Sequence, residues 1–174
     1  MIYRFDFDKT PTPRVTSRVT APPCYYADES SRPGTPYQYL RFINSGILRA
    51  SWALGTRDEL NTAFTVINAP GEQPRLLVTY DVGRPYEIDT QTLEVVTPVG
   101  WNKEWEPTVP TWLFEEPFAM VLATAHPFYD ASTGELFAVN FGRSVANLVG
   151  GSLPMLAAFV PIPKTLDEII RALA

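Results

Sequence analysis

Short runs in which apolar and polar residues alternate constrain the fold of this chain more than any other feature. The first run opens the sequence, where Tyr3, Phe5 and Phe7 alternate with polar residues. A period of two residues is typical of β-strands that bury one face. The sequence therefore predicts an all-β fold of short strands, with the Pro-, Ser- and Tyr-rich residues 21–39 as a loop. The further predicted strands are 14–20, 75–80, 86–89, 93–96, 118–124 and 135–140.

Two of the predicted turns resemble each other. Residues 88–96 and 129–139 both run through a strand, an aspartate, a short polar turn, a threonine and a second strand. Their aspartates, Asp89 and Asp130, lie 41 residues apart, and residues 5–15 form a third, weaker copy. Repeats of about 40 to 50 residues built from short antiparallel strands are typical of β-propeller blades. The pattern therefore indicates a propeller-like architecture.

The last part of the chain, residues 147–174, has a different character. The stretch from Asn147 to Pro161 is apolar and is interrupted by Gly and Pro. Thr165 and Glu168 then have the spacing of a capping box, in which a Ser or Thr is followed three residues later by Glu. We expect an apolar connection here, followed by a short C-terminal helix that ends near Leu173.

Composition and charge exclude several classes of function. The formal net charge of −5 and the acidic pI of about 4.9 give no basic surface for nucleic acid. Cys24 is the single cysteine, so an internal disulfide and a cysteine-based zinc cluster are excluded. The sequence shows neither a signal peptide nor an apolar run of about 18 residues. These features predict a cytoplasmic protein without a spanning helix.

His126 is the single histidine, and it lies at the end of a predicted strand just before Pro127. Proline restricts the residue before it to extended geometry, so the imidazole of His126 has a restricted direction. Histidine is the commonest metal ligand in proteins, but one imidazole does not make a metal site. The residues alone leave two interpretations open: a packing residue on a turn, or one ligand of a metal shared with other residues.

Asp81 follows the predicted strand 75–80 and precedes Val82 and Gly83. In that position its carboxylate can accept hydrogen bonds within its own turn. Alternatively, it can orient a metal-bound imidazole by accepting a hydrogen bond from the free ring N–H. Both interpretations are consistent with the local sequence.

Five stretches together resemble the carotenoid cleavage oxygenase family. This family includes carotenoid, apocarotenoid and lignostilbene dioxygenases and the isomerase of the retinal pigment epithelium. The stretches occur in family order and cover most of the chain up to Ser144, and the piece TAHP at 124–127 is the most specific of them. They are MIYRFDFD, TPRVTSRVTAPPCYYADE, LGTRDELNTAF, LLVTYDVGRPYEIDTQTLEVV and LATAHPFYDASTGELFAVNFGRS.

The resemblance implies a seven-bladed β-propeller with one non-haem Fe(II) on its axis, held by four histidines from four blades. His126 matches the first of those histidines. Asp81, in YDVGRPYEID, matches a family glutamate that hydrogen-bonds a later iron-binding histidine, and it is one methylene shorter. The implied activity is cleavage by dioxygen of a conjugated carbon–carbon double bond in a carotenoid or apocarotenoid.

The stretch 148–161 falls where members of the family carry an apolar patch that touches the membrane at the mouth of the substrate tunnel. The resemblance therefore implies a possible peripheral membrane contact through these residues. A second interpretation is that 148–161 forms an ordinary buried connection.

The other three iron-binding histidines of the family fall downstream of the matched region. The resemblance thus implies that residues 1–174 are an N-terminal portion, about two to three blades of the propeller, which is inactive alone. Two alternatives remain open at this point. One is a stilbene- or phenylpropanoid-cleaving dioxygenase of the same family, and the other is a non-catalytic propeller fragment that binds a partner, with His126 as a packing residue.

Overall fold

The computed structural model describes residues 1–8, 11–46, 48–108 and 115–142. These residues form thirteen short strands, one α-helix and two turns of 3-10 helix at Gln38–Leu40 and Asn102–Glu104. All strand pairings between the named strands are antiparallel. The predicted all-β class is therefore confirmed for the described part of the chain.

The chain begins with a β-hairpin. Strand β1 (Ile2–Asp6) pairs with β2 (Arg14–Arg18) over five residue pairs, from Ile2 opposite Arg18 to Asp6 opposite Arg14. Ile2 is buried, whereas Tyr3 and Phe5 on the same strand are more than half exposed. The hairpin therefore contributes one end of its first strand to the core and presents aromatic side chains at the surface.

Two arginines of this hairpin attach it to a turn far along the chain. Arg4 Nη1 donates to the carbonyl oxygens of Thr90 and Gln91, at 2.8 and 2.7 Å. Arg18 Nε donates to the carbonyl oxygen of Thr92 at 2.6 Å. Because guanidinium groups offer several donors in a fixed fork, two side chains satisfy three successive carbonyls of the turn.

Helix α1 (Pro23–Ser30) lies within the region that the sequence predicts as a loop, so that prediction is wrong for these residues. Pro23 occupies the first turn of the helix, where its missing N–H costs no hydrogen bond and its fixed φ favours the helix. The helix buries Cys24 and Asp28. A three-stranded sheet that the sequence did not predict follows, with β3 (Ile43–Ser45), β4 (Leu48–Ser51) and β5 (Gly55–Thr56) in that order.

A four-stranded antiparallel meander is the largest sheet of the described residues. Its strands pair in chain order: β6 (Ala63–Ile67), β7 (Arg75–Thr79), β8 (Tyr86–Ile88) and β9 (Val95–Pro98). Such a meander is the unit from which propeller blades are built. The described sheets are small and none of them closes into a ring, so the propeller stays a prediction.

The last four strands form two separate pairs. Strand β10 (Leu122–Ala123) pairs with β13 (Asn140–Phe141), and β11 (Phe128–Asp130) pairs with β12 (Glu135–Phe137) between them. The predicted strand 118–124 is thus shorter than expected, and the predicted strand 135–140 is divided between β12 and β13.

The two turns that resemble each other in sequence have the same backbone structure. In the first, Leu93 N–H donates to the carbonyl oxygen of Asp89 at 2.8 Å, and in the second Gly134 N–H donates to that of Asp130, also at 2.8 Å. Leu93 and Gly134 both have a left-handed φ, of 61° and 77°. The repeat inferred from the sequence is therefore a repeat of structure in these turns.

The hydrophobic core lies around β7 and β8 and receives side chains from the first hairpin and the loops. Apolar burial of this kind contributes most of the stabilisation of a small domain. Its buried members are Ile2, Leu60, Val78, Tyr80, Val82, Tyr86, Ile88 and Leu93.

Several predicted features lie outside the described residues. These are the apolar connection 147–161 with its implied membrane patch, and the helix that begins near Thr165. Among the helices of the described ranges, none has the length and apolar character needed to cross a bilayer.

Candidate metal-ligand site at His126

His126 lies in the short connection between β10 and β11, and its side chain is exposed. The residues on either side of it, Ala125 and Pro127, are buried. Its backbone N–H lies 3.4 Å from the hydroxyl of Thr124, to which it donates. The imidazole is therefore accessible to an ion while the backbone that carries it is packed into the protein.

Two threonine hydroxyls bind the backbone carbonyls directly before and after His126. Thr79, the last residue of β7, donates through Oγ1 to the carbonyl oxygen of Ala125. Thr65 lies in the middle of β6, and its Oγ1 donates to the carbonyl oxygen of Pro127 at 3.4 Å. Two neighbouring strands of the meander thus hold the histidine segment from one side.

Asp81 lies two residues after the end of β7 and is exposed. Its carbonyl oxygen accepts a hydrogen bond from the N–H of Ala123 at 3.2 Å, so the backbone of Asp81 joins the strand that leads to His126. Within the described ranges, the Asp81 carboxylate makes no hydrogen bond or ion pair, neither to its own turn nor to His126. The structure brings the two predicted residues to adjoining segments but does not link their side chains.

The donor set at this place suits one ligand position of an Fe(II) ion. A neutral imidazole is a good ligand for ferrous iron, and an exposed ring on a fixed backbone can reach an ion. In the described part of the chain, no three residues of the types His, Cys, Asp and Glu are grouped as a metal site requires. Further ligands for a metal at His126 would have to come from outside the described residues.

A cavity that the sequence analysis missed lies on another side of the meander. It has a volume of about 350 Å³. Its polar walls include Asp58, Arg84, Tyr86, Trp105 and Glu116. Burial raises the pKa of the Glu116 carboxyl above its usual value. The cavity therefore has both acidic and aromatic walls.

Asp58 is the most constrained residue of that cavity. Tyr86 donates through its hydroxyl to Asp58 Oδ2 at 3.0 Å, and the Asp58 backbone N–H donates to Cys24 Sγ at 3.2 Å. A Cβ atom on Gly83 would lie 2.3 Å from Asp58 Oδ1, so a larger residue there would force the Asp58 side chain to move. Burial raises the pKa of Asp58 to about 6, an effect that the Tyr86 hydrogen bond opposes. Burial raises the pKa of the Tyr86 hydroxyl, and the neighbouring Asp58 carboxylate raises it further.

A second buried carboxylate, Asp28 of α1, holds the helix to the neighbouring sheet. Arg49 donates to both of its oxygens, through Nε at 2.6 Å and Nη2 at 2.8 Å, and Arg57 donates through Nη1 at 2.5 Å. Burial acts to raise the pKa of Asp28, but the hydrogen bonds and charges of the two arginines outweigh it and lower the pKa. No periodic pattern marks this cluster, because its members come from three separate segments.

Comparison with known proteins identifies the family that these features belong to. The sequence profile of a family described as retinal pigment epithelial membrane protein matches residues 1–151, most of the chain. No curated protein and no solved structure matches it. The matched range includes both Asp81 and His126.

Proposed function

The chain belongs to the family of the retinal pigment epithelial membrane protein, the carotenoid cleavage oxygenases, and we propose on this basis that His126 is one ligand of a non-haem Fe(II) centre. The family comprises carotenoid-cleavage-type oxygenases and isomerases. The proposed reaction is the cleavage by dioxygen of a conjugated carbon–carbon double bond in a carotenoid or apocarotenoid. One O atom goes to each carbon, so that two carbonyl products form.

One observation carries this proposal: the single imidazole of the chain is exposed, although buried residues lie on both sides of it. A histidine retained for packing would be expected to bury its ring, since the ring is the part with apolar surface. Here the backbone is packed and the ring is presented. This arrangement leaves the imidazole accessible to a metal that other residues share.

When bound, the iron supplies the redox chemistry that dioxygen needs in order to react with the double bond. The chain's own contribution is a neutral imidazole nitrogen at a fixed place.

Under the same proposal, the Asp81 carboxylate orients another imidazole of the centre by accepting its free N–H. Two observations support this role: the carboxylate is exposed, and the backbone of Asp81 is hydrogen-bonded to Ala123 on the strand before His126. The backbone of Asp81 is therefore joined to the segment that leads to the proposed ligand. Its carboxylate makes no hydrogen bond or ion pair among the described residues.

Anaerobic Fe(II) titration of the 174-residue chain by calorimetry tests the ligand role. A single imidazole gives weak binding, because tight binding needs several ligands in place. We expect weak binding in the wild type and its loss in His126→Ala, with Gln91→Ala, an exposed change distant from the site, as the matched control. Equal binding by His126→Ala and the wild type would contradict the proposal, and tight 1:1 binding would contradict the single-ligand assignment.

The substrate is tested with the longest polypeptide that the encoding transcript yields. Product analysis with one apocarotenoid and one stilbene, each supplied with Fe(II) and dioxygen, should show carbonyl products from the apocarotenoid. Products from the stilbene alone would contradict the carotenoid assignment and identify a stilbene-cleaving enzyme. Products from neither substrate would favour a non-catalytic protein that binds a partner.

A further inference from the structure

We propose that Thr79 is the positioning residue of His126, because its hydroxyl fixes the carbonyl directly before the histidine; this inference rests on the ligand role proposed above. Thr79 does not touch the metal in this scheme. It acts through the backbone of Ala125, and thereby sets where the imidazole of His126 lies. The ligand is thus placed by the meander and not only by its own strand.

The geometry at Thr79 supports this role. Thr79 is the final residue of β7 and its exposure is 0%. Its Oγ1 lies within hydrogen-bonding distance of two carbonyl oxygens, that of Ala125 and, at 3.0 Å, that of Ala63 on β6. Ala63 is also the register partner of Thr79 across the two strands. One hydroxyl proton therefore joins β6, β7 and the histidine segment at one point.

The chemical type of the residue also needs an explanation. Thr79 follows Leu77 and Val78 in a fully buried part of the strand. Valine has the same shape as threonine and would bury without a polar penalty, since a buried hydroxyl is costly unless it is hydrogen-bonded. The polar atom at this position is therefore explained by the hydrogen bonds that it makes to the carbonyl oxygens of Ala63 and Ala125.

A second threonine acts on the other side of the histidine. Thr65 lies 3.4 Å from the carbonyl oxygen of Pro127 and is only partly buried, so its hydrogen bond is the weaker of the two. Together with the hydrogen bond that Ala123 N–H donates to the carbonyl oxygen of Asp81, these contacts restrain the segment at two of its carbonyl groups and one of its N–H groups. Loss of the Thr79 contact should loosen the end of the segment that carries the ring.

Hydrogen–deuterium exchange of the metal-free 174-residue chain, measured by mass spectrometry, tests the positioning role. In Thr79→Val, the amides of residues 122–126 should exchange about three- to tenfold faster, as expected for the loss of one hydrogen bond. Thr79→Ser should restore exchange to near the wild-type rate. Thr65→Val should give a smaller increase, and it provides a second reading if Thr79→Val does not fold.

Thr108→Val is the matched control, since the Thr108 hydroxyl is also buried but has no hydrogen-bond partner among the described residues. It should leave exchange at 122–126 unchanged. Exchange in Thr79→Val that equals the wild type and the control would overturn the inference, as would a failure of Thr79→Ser to rescue a faster rate.

Fe(II) titration of the same variants separates this inference from the proposal on which it rests. If the wild type binds Fe(II) through His126, Thr79→Val should weaken that binding by a similar factor while Thr108→Val and Thr79→Ser do not. Unchanged binding in Thr79→Val would also overturn the positioning role. If His126→Ala does not alter iron binding, the ligand proposal fails and the positioning role fails with it, even where the exchange data show a restrained segment.

Discussion

Leu93 and Gly134 occupy the same position in two turns of identical backbone hydrogen bonding. Each lies four residues after an aspartate, donates its N–H to that aspartate's carbonyl oxygen at 2.8 Å, and has a left-handed φ. The threonine just before each, Thr92 or Thr133, accepts the N–H of the following glutamate, at 3.3 and 3.4 Å. In the first turn this position is held by a leucine, whose side chain is buried in the core.

The left-handed φ of Gly134 predicts a backbone cost for any larger residue. Gly134→Ala should lower the free energy of unfolding by about 1 kcal/mol, because an L-residue in the left-handed region is strained. An added Cβ would meet no atom within 4 Å, so the loss would report backbone strain and not a clash. Urea denaturation measures it.

Gly142→Ala is the control for this change, because Gly142 has no left-handed φ and its added Cβ would also lie in open space. Gly142→Ala should leave the midpoint of urea denaturation unchanged. Equal stability of the two variants would show that the turn at Asp130 tolerates alanine and that its φ is not a constraint.

Asp89 and Asp130, the aspartates of the two turns, should both make the stability of the protein fall at low pH. We call this fall the acid limb of the stability curve. Hydrogen bonds from the backbone N–H groups of Thr92 and Gln91 lower the pKa of Asp89, and those from Ser132, its side chain first, lower the pKa of Asp130. A lowered pKa in the folded state gives stability that is present above the unfolded value and lost as the pH falls through the folded one. The stability should therefore fall below about pH 4.

Asp89→Asn should flatten this acid limb in urea denaturation curves recorded between about pH 2 and 6. The exposed Asp81→Asn should leave the limb as in the wild type. An unchanged slope in Asp89→Asn would show that the turn hydrogen bonds do not stabilise the ionised carboxylate.

Asp58 predicts a pH dependence of the opposite sign. Burial raises its pKa to about 6, so the folded state retains a proton that the unfolded state has lost. Its contribution to stability is therefore full below the unfolded pKa and decreases as the pH rises from about 4 to 6. Asp58→Asn should remove this decrease and raise the free energy of unfolding at pH 7 by about 2 kcal/mol. Denaturation at pH 4 and pH 7 measures the difference.

Asn retains an oxygen that can accept the Tyr86 hydroxyl, so the substitution removes the charge while the hydrogen bond remains possible. Tyr86→Phe is the complementary variant, since it leaves the carboxyl without that donor and should raise the pKa of Asp58 further. Were Asp58→Asn to lose stability equally at both pH values, burial of the charge would not be the cause.

The Asp28 cluster predicts a large loss on removal of its charge. Asp28→Asn leaves Arg49 and Arg57 without their shared carboxylate and should cost about 3 kcal/mol or more, as for other buried pairs broken on one side. Glu29→Gln, in the exposed pair with Arg32, is the neighbouring control and should change stability by less than about 1 kcal/mol. Thermal unfolding followed by circular dichroism distinguishes them. Similar midpoints for the two variants would mean that the cluster is not a net contributor.

The sequence predicts the features that depend on neighbouring residues. The turns at Asp89 and Asp130 are local structures made by an Asp, a Thr and one left-handed residue, so their sequence pattern is sufficient to find them. Three of the four strands of the meander, β7, β8 and β9, overlap strands that the sequence predicts, whereas β6 was missed. Helix α1 was missed because residues 21–39 were interpreted as a loop from their content of Pro, Ser, Tyr and Gly, although proline is favoured in the first turn of a helix.

The features that the sequence does not predict depend on contacts between distant segments. Asp58 and Tyr86 are 28 residues apart and Thr79 and Ala125 are 46 apart, and neither pair belongs to a periodic pattern. A threonine in a strand is ordinary on grounds of β-propensity, so its role at His126 appears only when the segments are brought together. The sequence places His126 at the end of the predicted strand 118–124, whereas in the structure it lies in the connection between β10 and β11.

The attachment of the first hairpin by Arg4 and Arg18 has a consequence for synthesis of the chain on the ribosome. The hairpin is translated before the turn to which it binds, because the carbonyls that Arg4 binds, at Thr90 and Gln91, are translated 86 to 87 residues after Arg4. At about 5–20 residues per second this interval lasts several seconds. During that time Ile2, which is buried in the folded protein, has no core to pack against, and the nascent hairpin can dock only after the meander has begun to emerge.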